Sequence, residues 1–139
     1  MLGLDDIPRS TSRYRVSTPA TMQVVLLVGR VGALRDGVSG LLGTLPRIGR
    51  IVEATDAAAA HDLLAADHLD LVVVDATLPD NELADVVATV TARAAPVPCL
   101  VLVETADQAD VATAAGASQV VLTGMAARGL SALIEQLLL

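Results

Sequence analysis

Several groups in this chain could do chemistry by type and spacing. The apolar run Leu71 to Val74 closes on a carboxylate, Asp75, and Pro79 follows four positions later. So apolar a segment ending in a carboxylate calls for a physical reason. His61 and His68 stand seven apart, close to two helical turns, and two imidazoles are the start of a metal site. No third ligand accompanies them, and both read as surface side chains. Gly29 to Gly32, "GRVG", could act as a phosphate-binding turn between a strand and a helix, yet it matches neither the dinucleotide nor the nucleoside-triphosphate fingerprint. Asp80, Asn81 and Glu82 follow Pro79 and read as capping and first-turn residues of a helix. Cys99 is the one cysteine, so no internal disulfide can form; without a base partner it reads as a buried, inert thiol in a reducing, cytoplasmic compartment. No histidine is placed to serve a serine nucleophile at a strand end.

The elements that must position these groups alternate along the chain. Residues 1–21 are rich in Ser, Thr, Arg and Pro without a period and read as a disordered N-terminal arm. From Met22 to residue 139 the text is that of a single domain. "MQVVLLVG" is a buried strand stopping at a glycine, and Leu34, Val38, Leu41, Leu42 and Leu45 recur after it at helical spacing. "RIGRIVEA" carries Arg47, Arg50 and Glu53 and has the composition of an edge strand. Asp56 is placed to cap the helix in "AAAAHDLLAA". "LVVVD" is a third strand, with the stripe Leu83, Val86, Val87, Val90 behind it. "CLVLV" is a fourth, leading to an alanine-rich helix from about Asp107 to Ala115. "QVVLT" is a short fifth, and Leu130, Leu133, Ile134, Leu137 and Leu138 stripe a last helix.

Five strands alternating with five helices mean right-handed crossovers and a parallel sheet covered on both faces. The fold class is α/β, a flavodoxin-like (βα)5 three-layer sandwich. The most apolar strands belong in the centre and the charged second and short fifth at the edges, which gives the order 2-1-3-4-5. In such sheets ligands bind beyond the carboxyl ends of the strands, at the switch point between the first and third. Asp75 lies at that crevice.

Composition narrows the function. In 139 residues the apolar share is 53% and the aromatic share 1%, so stacking platforms for bases, flavins or sugars are missing. A net charge of −7 argues against nucleic acid or an anionic membrane as partner. All nine cationic residues are arginines. No apolar run has the length of a signal peptide core or a membrane span.

The stretches "LDLVVVDATLP" and "AAGASQVVLTG" resemble the receiver domain of response regulators in two-component signalling, over about Gln23 to Leu138. The resemblance implies that Asp75 corresponds to the phospho-acceptor and that Thr77 offers the backbone carbonyl the family places on Mg²⁺. Other parts of that machinery are replaced. The acidic pair falls on Gly29 and Arg30, the Thr or Ser at the end of the fourth strand on Val103 with Thr105 two positions on, the lysine on Thr123, the following proline on Gly124, and the aromatic switch on Val120. With only one carboxylate and one carbonyl left, Mg²⁺ binding should be weak or absent, and no cofactor is expected. Arg30 could instead stand where the metal's charge would be and pair with Asp75. The alternative is an Arg30 that points into solvent.

The expectation is a stand-alone pseudo-receiver, not an enzyme beyond self-phosphorylation. It would signal through a protein partner, a histidine kinase or an output protein, without nucleic acid or membrane. The competing reading is a working receiver phosphorylated on Asp75 by a histidine kinase. The surface of the last two helices and the strand between them is where receivers meet partners or form homodimers; the terminal leucines there read as core.

Overall fold

A computed structural model describes residues 22–66, 68–93, 97–123 and 127–138. The arm of residues 1–21 and Gly124 lie outside the described residues. The elements run β1 (Gln23–Val28), α1 (Ala33–Gly43), β2 (Ile48–Ala54), α2 (Ala57–Ala66), β3 (Leu71–Val74), α3 (Asp80–Thr91), β4 (Cys99–Val103), α4 (Ala106–Ala115), β5 (Gln119–Leu122) and α5 (Ala127–Leu137). All neighbouring strands are parallel, in the order β2-β1-β3-β4-β5. This is the flavodoxin-like (βα)5 order expected from the distribution of charge among the strands.

Alternation along the central strands sorts their side chains to two faces. Leu26, Val28, Val72, Val74, Val101 and Val103 pack with α2, α3 and α4. Val25, Leu27, Leu71, Val73, Leu100 and Leu102 pack on the other face with α1 and α5. Both cores are aliphatic, and β3 is buried along its whole length. Strand β3 closes at Val74, one residue short of the expected end. The Asp75 N–H nevertheless continues its ladder by donating to the Val28 carbonyl at 2.9 Å. That bond fixes the Asp75 backbone at the β1/β3 boundary.

Helix ends follow local chemistry. Asp56 Oδ1 accepts from the Ala59 N–H at 2.8 Å, the expected cap of α2. Helix α4 begins at Ala106 because the Thr105 hydroxyl accepts from the Gln108 N–H at 3.1 Å. It ends at Gly116, whose φ of 105° is left-handed and whose Cα faces Thr91 closely enough to leave a Cβ only 3.0 Å from Cγ2. At the C-terminal end Leu138 is buried and Leu137 half-buried, packed with α1.

Burial in β4 pushes the Cys99 thiol up from its ordinary 9.0 to about 12. The native thiol therefore stays protonated at about pH 8, where iodoacetamide should leave it unmodified until denaturant is added. Alkylation of the native protein as fast as of the unfolded chain would contradict this burial. The unfolded thiol loses its proton near pH 9.0 while the folded one keeps it. Its contribution to stability is thus full below pH 9.0 and is lost as the pH climbs toward 12.

Candidate functional site

The loops after β1 and β3 meet at the switch point, and Asp75 lies between them. Its side chain is 0% exposed, which is costly for a carboxylate without partners. Partners come from two residues ahead: the Thr77 N–H donates to Oδ1 at 2.9 Å, and the Thr77 hydroxyl donates to the same oxygen. Thr77 Oγ1 in turn accepts from the Arg30 N–H at 2.8 Å. A chain of hydrogen bonds thus runs from the β1–α1 loop through Thr77 to the carboxylate. Thr77 itself is exposed, although the carboxylate it bonds is not.

The second oxygen has a different environment. Asp75 Oδ2 is buried and has no hydrogen-bond partner among the described residues. It lies against Gly29, where an added Cβ would fall 2.0 Å from Oδ2 and 2.3 Å from Cγ. The carboxylate fills the space that a side chain at position 29 would need. Gly29 is held in place from both sides. Its N–H donates to the Ala54 carbonyl at 2.9 Å, and its carbonyl accepts from Arg35 Nη1 at 3.1 Å.

Arg30 does not pair with Asp75. Its guanidinium lies 3.5 Å from Glu82 Oε2 and is 54% exposed, so of the two alternatives the pairing with Asp75 is not formed. The physical reason is directional: the Arg30 side chain turns outward toward the first turn of α3, while the carboxylate of Asp75 turns inward onto Gly29. Nor is Arg30 merely solvated, since Glu82 holds it, although a pair this exposed adds little stability. Glu82 also accepts from the Ala57 N–H at 3.1 Å, so one carboxylate of α3 holds both the β1–α1 loop and the start of α2.

The remaining candidates make no hydrogen bond to Asp75 among the described residues. Val103 is buried at the end of β4, and its carbonyl accepts from the Thr123 N–H at 2.9 Å beyond β5. Thr123 is exposed and the Thr105 hydroxyl is spent on the α4 cap; neither hydrogen-bonds Asp75. His61 pairs with Asp85 at 2.8 Å and His68 with Asp70 at 3.3 Å, each with its own carboxylate. Among the described residues no three His, Cys, Asp or Glu side chains cluster as a metal site requires.

Two residues that shape the site escape a reading of the sequence. Glu82 reads only as a first-turn helix residue. Arg35 is 12% exposed, bridging the Gly29 carbonyl and Glu53 at 3.4 Å, and its only sequence signal is a charge beside the apolar Leu34.

These residues do not fit Mg²⁺. The ion takes about six oxygens in near-octahedral array, usually from one or two carboxylates, phosphate and water. Here a single carboxylate is closed off, with one oxygen engaged by Thr77 and the other packed on Gly29. The adjoining residue adds a cation.

This architecture, with an aspartate directly after β3, is the receiver fold of two-component response regulators. The chain matches the crystal structure of a LuxR-family two-component response regulator from Aurantimonas sp. SI85-9A1, with TM-score 0.73 and 26% identity over 84% of this chain and 85% of that one. It matches the signal receiver domain of an HD domain-containing protein from Pseudomonas fluorescens Pf-5 with TM-score 0.73 and 23% identity, over 90% and 93% of the two chains. For the chemotaxis response regulator CheY4 of Vibrio cholerae the values are 0.72 and 20%, over 84% and 99%. No family model matches the chain, and no curated protein matches it in sequence.

Proposed function

We propose that the domain is a signalling module of receiver type that works through contacts with another protein, and that Asp75 is not a Mg²⁺-dependent phosphoryl acceptor. The observation that carries this reading is the closure of Asp75. Its carboxylate is 0% exposed, bonded by Thr77 on one oxygen and packed against Gly29 with the other. Phosphoryl transfer depends on positioning the donor and neutralising the oxygens of the transferred group. In this chain the acidic pair that would hold the metal is Gly29 and Arg30, and no lysine exists to meet the phosphoryl oxygens. The partner is a protein, a histidine kinase or an output protein, in keeping with a net charge of −7 that disfavours phosphate backbones.

The second reading, an acceptor phosphorylated by a histidine kinase, has in its favour the retained Asp75 at the carboxyl end of β3. It requires the Thr77 bonds to open before any donor can approach.

A Mg²⁺ titration followed by amide NMR tests the proposal. The Asp75 and Thr77 amide signals should show no saturating shift through the millimolar range. Saturable shifts centred on those two residues, absent from an Asp75→Asn variant, would overturn it.

A further inference from the structure

The Thr77 hydroxyl links two loops that no strand pairing joins beyond Asp75. It donates to Asp75 Oδ1 from the β3–α3 loop and accepts from the Arg30 N–H of the β1–α1 loop at 2.8 Å. Asp75 has no solvent exposure, while Thr77, which bonds its carboxylate, is exposed. We propose that Thr77 is a latch: its hydroxyl ties the β1–α1 loop down over Asp75 and keeps the carboxylate closed to any reactant from solvent. This inference rests on the reading above and names the device that regulates access to the same site.

The argument is one of geometry and satisfaction. A hydroxyl supplies one donor and accepting lone pairs, and Thr77 uses both functions at once. Valine keeps the shape but can do neither. Without the hydroxyl, the Arg30 N–H loses its acceptor and Asp75 Oδ1 keeps only the Thr77 N–H, so the loop gains freedom to lift. Serine keeps both functions.

The test uses the full chain as wild type, Thr77→Ser and Thr77→Val. A water-soluble carbodiimide with glycine ethyl ester converts reachable carboxylates to amides, read at Asp75 by peptide mass spectrometry. A charge-assisted hydrogen bond is worth about 1.5–3 kcal/mol, so its loss should raise Asp75 labelling about tenfold or more in Thr77→Val. Thr77→Ser should label like wild type. Equal labelling of all three folded proteins would overturn the latch, and so would rapid Asp75 labelling in wild type. Should Thr77→Val not fold, amide exchange in wild type decides. The latch requires the Arg30 N–H to be protected, and exchange at the free-peptide rate would overturn it. A phosphoryl adduct on wild type would instead refute the reading on which the latch rests, so the two failures are separable.

Discussion

Gly29→Ala should lower stability by about 2–3 kcal/mol, a large penalty for one methyl group. Gly29 does not occupy the left-handed region, which among the described glycines belongs to Gly116, so the cost is one of space and not of backbone strain. The new Cβ would lie 2.0 Å from Asp75 Oδ2 and 2.5 Å from Oδ1. A long flexible side chain could give way cheaply, but Asp75 is short, buried and held by Thr77 through its other oxygen. Relief requires the carboxylate to swing out and break those bonds. The double variant Gly29→Ala, Asp75→Ala checks this explanation. With the carboxylate gone, adding the methyl group should cost less than about 1 kcal/mol, giving a coupling well above the few tenths expected of independent sites. Urea denaturation of the wild type, two singles and double measures it; additive costs would show that Asp75 does not fill the space beside Gly29.

Leu83→Ala should cost about 3 kcal/mol, in the range of leucine truncations in close-packed cores. Leu83 is fully buried in the first turn of α3 and belongs to the core shared by α2, α3 and the central strands. The cavity would open beside Glu82, the carboxylate that ties Arg30 and the start of α2 to α3. Leu122→Ala supplies the contrast, because that leucine is 57% exposed and should lose no more than about 0.5 kcal/mol. The shift should appear in the urea midpoint without a change in slope. A loss under about 1 kcal/mol for Leu83→Ala would mean that α3 is not seated on the sheet as described.

The fold was legible because burial leaves its mark on individual strands. Leu71 to Val74 carries no polar residue, as a strand covered on both faces should, while Arg50 and Glu53 betray β2 as an edge. Asp75 was legible for the same reason: a carboxylate closing an apolar run stands out. Its surroundings were not. Thr77 attracts notice in the sequence for a backbone carbonyl, yet the geometry uses its hydroxyl and N–H. Charge alone leaves Arg30 between pairing with Asp75 and pointing into solvent; side-chain direction sends it to Glu82, 52 residues away in sequence. Contacts of that kind join loops distant in the chain and have no periodicity to reveal them. The small space beside Gly29 is equally invisible until the backbones of β1 and β3 are brought side by side.

The central claim, that Asp75 is closed to phosphoryl donors, is tested most directly by intact-mass spectrometry. Wild type and Asp75→Asn would be incubated with Mg²⁺ and a small acyl phosphate, and in parallel with phosphoramidate. Both proteins should keep their unmodified mass with both donors. A gain of one phosphoryl group on wild type that is missing from Asp75→Asn would contradict the account and make Asp75 a working acceptor.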